Sequence, residues 1–150
     1  MNIMKVKECM SSDVCSCCPT DTVSDVAKKM CEKHVGCMPV CDENQNIVGL
    51  VTDRDIILRS IACDKDVKQT PISEIMTTSV CCCNTDADIS EAEKLMSDLQ
   101  IRRIPVVENN KIVGILTIGD LANDKNVSQQ EVADTVENIC DCGCNAKNAE

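Results

Sequence analysis

A chain of 150 residues is long enough for one domain or two closely packed subdomains. Its formal charge of −10 is uneven: residues 1–70 carry nine basic and eleven acidic groups, residues 71–150 six and fourteen. With no basic stripe to release counterions, a nucleic-acid backbone is excluded as the general partner. Phe, Tyr and Trp are absent, so the core must be aliphatic, with Met and Cys, and no aromatic platform can stack a base. There is no apolar run of 18 residues, so no membrane span is expected. Lys5, Lys7 and Glu8 stand where a signal peptide needs its apolar stretch, which points to the cytoplasm. The 14 cysteines, several adjacent, then read as free thiols in a reducing compartment, many used as small apolar residues.

In chain order, residues 3–10 read as a short leading helix, and Val14-Cys15 as a brief strand. Thr22 with Asp25 is a capping signature for a helix whose buried stripe is Val23, Val26, Ala27 and Met30, ended by Val35-Gly36. A strand over 37–41, a loop over 42–46 and a strand over 47–51 follow, then a helix over 53–61. Residues 64–71 form a polar linker closed by Pro71. The second half repeats the order. Asp88 with Glu91 caps a helix with Ile89, Ala92, Leu95, Met96 and Leu99 on its apolar side. Strands over 104–107 and 111–116 join at a tight turn over 108–110, and a short helix opens at 118–123. Pro39 and Pro105 suggest edge strands or strand starts. A last helix begins at Ser128, with Glu131 at the capping position, and runs through Val132, Val136 and Ile139. That helix either joins an interface between copies or folds back on the second half.

The halves are copies. Val6-Lys7-Glu8-Cys9-Met10 recurs as Ile72-Ser73-Glu74-Ile75-Met76, and Met38-Pro39-Val40 as Ile104-Pro105-Val106. The run from Ile47 to Asp55 recurs from Ile112 to Asp120. A period above about 60 is too long for common solenoid units, so two duplicated units packed on each other fit better. Each alone would bury a marginal core.

This ordered set resembles a pair of CBS domains: Met after the leading helix, a helix bearing Ala and Met, Pro-Val, then a hydrophobic-Gly-hydrophobic-hydrophobic-Thr-x-x-Asp junction. The resemblance covers about residues 6–62 and 72–123. It implies an α+β fold of tandem β-α-β-β-α units related by pseudo-twofold symmetry. The boundaries drawn on it are residues 1–68, 69–126 and a C-terminal helix and Cys-rich tail over 127–150. It also implies a regulatory module, without catalysis, that binds AMP, ADP, ATP or a related adenosyl ligand such as S-adenosylmethionine between the halves. By position, the ribose carboxylates fall on Asp55 and Asp120, and the neighbouring hydroxyls on Thr52 and Thr117. The base would lie among Val14, Cys15, Met38 and Pro39 in one half, and Val80, Cys81, Ile104 and Pro105 in the other. Such pairs often form homodimers, and with no effector domain expected within these residues the regulated target stays open.

The residues also carry plainer readings. Thr52 and Thr117 can simply cap their helices, with Asp55 and Asp120 at the third position favouring the dipole. The functional reading uses the same geometry, since a carboxylate there can accept from two vicinal ribose hydroxyls. Arg54 and Arg103 are candidate phosphate contacts, and each is otherwise an ordinary solvated arginine. The sole histidine, His34, has no acidic or nucleophilic partner nearby, and no catalytic motif appears, so no catalysis is expected. Two alternatives use the same scaffold. One is a metal-binding or redox protein built on the cysteines, with Cys15, Cys17, Cys18, Cys140, Cys142 and Cys144 as thiolate sources; the other is an interaction module needing no ligand. No metal site is assigned.

Overall fold

A computed structural model describes residues 4–140. In chain order the elements are helices α1 (Val6–Cys9) and α2 (Val23–Lys33), strands β1 (Cys37–Cys41) and β2 (Ile47–Thr52), and helix α3 (Asp53–Ile56). Strand β3 (Cys83–Asn84), helix α4 (Ile89–Leu99), strands β4 (Arg103–Glu108) and β5 (Lys111–Thr117), and helices α5 (Ile118–Asn123) and α6 (Gln129–Cys140) complete the chain. The β-α-β-β-α order appears in both halves, the first strand of the first half being reduced to one bridge at Cys17. Helices and strands mix as the α+β reading expects.

Two compact units form, and they do not follow the repeat boundaries. The first comprises Cys15–Val80 with Asn109–Ile112. Its core is Cys17, Val23, Val26, Met30, Met38, Val40, Val51, Ile56, Ile72 and Ile75. Thr22 Oγ accepts from the Asp25 N–H (3.1 Å), fixing the start of α2, and His34 ends it in the left-handed region (φ 56°). The linker is stitched to this helix start: Thr70 and Val67 carbonyls accept from Val23 and Ser24 N–H, and Ile72 N–H donates to Asp21 O. These bonds seat Ile72 and Ile75 in the core although the repeat assigns them to the second half.

The second unit holds residues 4–14, Cys81–Glu108 and 113–140. Val6 of α1 is fully buried with Ile89, Ala92, Met96, Ile104, Val106, Leu116, Leu121, Val132 and Ile139. Each unit therefore takes the leading segment of the other repeat: 4–14 here, 72–76 in the first unit. One device recurs in both. Gly49 faces the Met76 side chain and the Thr77 carbonyl, and Gly114 faces the Met10 side chain and the Ser11 carbonyl. Leu50 pairs with Thr77, and Ile115 with Ser11. Glycine leaves the space in which the methionine crosses the strand.

Several expectations need correction. Val14-Cys15 is not a strand; the bridge forms at Cys17, parallel to Val40. Cys17 N–H donates to Pro39 O (3.0 Å), and an earlier rung would need a proton that the Pro39 nitrogen lacks. Pro105 imposes the same limit, and the matching strand of the second half is Cys83–Asn84, paired with Val106 and Val107. The helix expected over 53–61 changes to a π turn at Ile57–Ile61. There the buried Ser60 hydroxyl donates back to the Ile56 carbonyl, and Ala62 N–H reaches Ile57 O. Asp88 stands at the N-cap of α4 without a side-chain cap; its carboxylate faces Lys5 Nζ at 3.7 Å instead. Leu99 is exposed, and Glu93 is buried on the face α4 presents to α6.

Helix α6 folds back on its own unit. Ser128 Oγ accepts from Glu131 N–H (3.4 Å), and Val132, Thr135 and Ile139 are buried while Val136 is exposed. The apolar side expected at an interface between copies is thus largely spent within the unit. At its centre the Thr135 hydroxyl, which donates to Glu131 O (2.8 Å), lies 3.5 Å from Glu93 Oε2, and among the described residues Oε1 is buried without a partner. Burial, reinforced by Glu131, pushes the Glu93 carboxyl above its usual range. The folded state then holds that proton more tightly than the unfolded chain. Its contribution is complete below the unfolded value of about 4.5 and is lost as pH rises through the higher folded value. Glu93→Gln should therefore raise the melting temperature at pH 7, by an amount corresponding to roughly 1 kcal/mol. The gain should shrink towards pH 4, and thermal melts of both proteins across that range check it.

Candidate functional site

Each unit carries one strand-to-helix junction of the same construction. In the first, β2 runs into α3 at Thr52. Thr52 Oγ accepts from Asp55 N–H (3.1 Å), and Asp55 Oδ2 accepts from Thr52 N–H (3.0 Å). In the second, β5 runs into α5 at Thr117. Thr117 Oγ accepts from Asp120 N–H (3.0 Å), and Asp120 Oδ2 accepts from Thr117 N–H (2.9 Å). These are complete capping boxes, so the plain reading of the four residues holds in full. It uses one oxygen of each carboxylate. The first helical N–H is also taken, Asp53 donating to Gly36 O (2.9 Å) and Ile118 to Arg102 O (3.0 Å).

The second carboxylate oxygens differ. Asp55 Oδ1 lies 3.7 Å from Arg59 Nε. Among the described residues Asp120 has no ion pair, and Asp124 stands where Arg59 stands in the first unit. Cys9 Sγ reaches the Asp120 carbonyl (3.5 Å), and burial, then Asp124 and Asp120, push this thiol up to about 11. The surroundings of Asp120 are therefore anionic, those of Asp55 balanced. Arg59 escaped the sequence reading, although its spacing of four from Asp55 on a helix was a usable signal.

The other candidates divide. Arg54 is exposed, with its backbone N–H on the Asp53 carboxylate (2.8 Å). Arg103 is exposed at the start of β4, next to the residue whose carbonyl receives the α5 N-terminus. Met38 and Ile104 are fully buried core residues, where ordinary packing accounts for them. Pro39 and Pro105 are buried; Val14, Cys15, Val80 and Cys81 are half-buried. Val80 belongs to the first compact unit, with Thr52 and Asp55, and Val14 to the second, with Thr117 and Asp120. Burial pushes the Cys17 thiol up to about 12 and the Cys83 thiol up to about 11, which keeps both protonated. Among the described residues no three His, Cys, Asp or Glu side chains are grouped to hold a metal ion. Cys142 and Cys144 lie outside the described residues. No helix among the described residues is long and apolar enough to cross a membrane.

The CBS domain family model matches residues 6–61 and 72–124. The chain belongs to the CBS-domain family. A CBS domain-containing protein of Bacillus subtilis, YhcV, is 37% identical over 134 residues, covering 89% of this chain and 94% of YhcV. The CBS domain pair of protein MJ0100, in complex with 5′-methylthioadenosine and S-adenosyl-L-methionine, superimposes with a TM-score of 0.72 at 27% identity, covering 81% of this chain and 94% of that one. CBSX2 in complex with AMP superimposes with a TM-score of 0.67 at 28% identity, covering 77% and 91%. This chain is thus similar along most of its length to CBS-pair proteins, and two of those structures hold adenosyl ligands.

Proposed function

We propose that this CBS pair is a non-catalytic regulatory module that binds an adenosyl ligand, AMP, ADP, ATP or S-adenosylmethionine, through Asp120 and Asp55. The observation that carries the reading is the duplicated capping box, which anchors one oxygen of each aspartate on backbone and directs the other elsewhere. A carboxylate held in this way is preorganised to accept from two vicinal ribose hydroxyls, at little further ordering cost. Thr52 and Thr117 keep it in place. Arg54 and Arg103 supply positive charge for phosphate. Pro39, Pro105, Val14, Cys15, Val80 and Cys81 supply apolar surface for the base. Asp120 is the stronger ribose site, because Arg59 competes for the free oxygen of Asp55.

The module acts in the cytoplasm as a homodimer and passes ligand occupancy to a separate protein. Ile57, Leu58 and Ile61, exposed together on the π turn, offer apolar surface for pairing. Calorimetric titration of the reduced protein with each of the four ligands tests the reading. Saturable heat from at least one is expected. No heat and no thermal stabilisation from any of them would leave the capping boxes with a purely structural role.

A further inference from the structure

We propose that Cys18 and Cys41 are a reversible disulfide pair, closed by exchange with a small-molecule disulfide. The backbone pairs the residues immediately before them. Cys17 N–H donates to Pro39 O (3.0 Å) and Cys41 N–H donates to Cys17 O (2.9 Å), which pairs Cys17 with Val40. Cys18 and Cys41 are the next register step. In the second repeat the ladder takes that step, and the equivalent residues, Asn84 and Val107, are Cα partners. Neighbouring strands lie about 4.8 Å apart, within the range of about 4.4–6.8 Å that a disulfide spans between Cα atoms.

The faces also agree. Cys17 and Val40 both enter the core of the unit, so alternation sends Cys18 and Cys41 to the opposite face. Burial pushes the Cys41 thiol up, and Ser16, two residues before Cys18, offsets part of that rise. The competing cysteines are poorly placed. Cys17 Sγ points to the Pro39 carbonyl (3.7 Å) from within the core. Cys37 is four residues back along the same strand, roughly 13 Å from Cys41 at strand rise. Cys18 is exposed and Cys41 buried, and a tight turn fixes the Cys18 backbone, its N–H on Asp21 Oδ2 (2.9 Å) and its carbonyl accepting from Asp21 N–H (3.0 Å). This is the arrangement of an attacking thiol and a resolving thiol.

The exchange balances. The Cys18 thiolate attacks one sulfur of the small disulfide, whose S–S bond breaks, and the first small thiol leaves after taking up the proton Cys18 released. The Cys41 sulfur then attacks Cys18 Sγ in the mixed disulfide. The second small thiol leaves with the Cys41 proton. Two protein thiols are oxidised and one disulfide is reduced to two thiols. The new bond clamps residues 17–18 onto β1, where pairing otherwise ends at one bridge because Pro19 has no N–H for Cys41 O; the equivalent Thr85 N–H donates to Val107 O (3.3 Å) in the second repeat.

The test equilibrates the full chain with glutathione buffers of increasing oxidised fraction, then quenches with acid, alkylates and maps peptides by mass. A Cys18–Cys41 crosslink is expected to accumulate, to persist in Cys63→Ser, another exposed thiol, and to vanish in Cys18→Ser. Cys41→Ser, checked for folding by circular dichroism, should instead trap glutathione on Cys18. Because Cys18 is exposed, Cys18→Ser remains informative if the buried variant fails to fold. A stable glutathione adduct on Cys18 in the wild type, or a crosslink joining Cys18 to any other cysteine, would overturn the proposal.

Discussion

Replacing Asp120 with alanine is expected to weaken binding of the adenosyl ligand by about 10- to 100-fold. Hydrogen bonds to a charged acceptor contribute roughly 1.5–3 kcal/mol, and each 1.4 kcal/mol is about tenfold in affinity. Asp55→Ala should cost less, because the Asp55 oxygen that would face the ligand already lies 3.7 Å from Arg59 Nε. Arg59→Ala should conversely strengthen binding at the first site. Both aspartate variants also lose half of a capping box, at most about 1 kcal/mol of stability, so they should remain folded and the binding loss should be separable by thermal melts. Calorimetry on the two variants and on the wild type decides the order. Unchanged affinity in both would remove the carboxylates from ligand recognition.

The second large effect is on stability. Gly114→Ala should destabilise the second unit by roughly 1–3 kcal/mol, the usual cost of overpacking. A Cβ there would sit 2.9 Å from the Ser11 carbonyl as well as against the Met10 side chain. The methionine can swing aside. The carbonyl cannot, since it accepts from Ile115 N–H (2.9 Å), and Ser11 N–H donates to Ile115 O (2.9 Å). Gly49→Ala should cost less, because Thr77 O stands at 3.1 Å. Adding Met10→Ala to Gly114→Ala should fail to restore stability if the backbone contact is the cause. Chemical denaturation of the three variants measures this, and a full rescue would assign the cost to the methionine alone.

Much of this was legible in the sequence because the signals are periodic or duplicated. The stripe of Val23, Val26 and Met30 is buried as its spacing predicts, and the Thr-x-x-Asp junctions form the capping boxes their pattern suggests. What was missed depends on partners distant in the chain. Nothing local to Val14-Cys15 shows that Pro39 withholds a proton from its ladder. Nothing local to Asp88 shows that Lys5 stands opposite. Glu93 falls among the polar positions of α4 by composition, and it is buried only because α6 returns over it. The exchange of leading segments is likewise invisible to a repeat boundary. Val6 and Ile72 occupy matching positions, and each is fully buried in the core of the unit that holds the other copy's main helix and hairpin. For the candidate site, the sequence located the four capping residues but not the difference between the two carboxylates, which rests on Arg59 and Asp124.

The central claim is that these carboxylates recognise ribose, and one comparison addresses it directly. The reduced protein is titrated calorimetrically with the tightest-binding adenosyl ligand and, on the same sample, with its 2′,3′-dideoxy counterpart. Base and phosphate are identical in the pair, so the difference reports the hydroxyls alone. The account predicts at least about tenfold weaker binding of the dideoxy compound, on the scale of one charge-assisted hydrogen bond. Equal affinity for the two would contradict it.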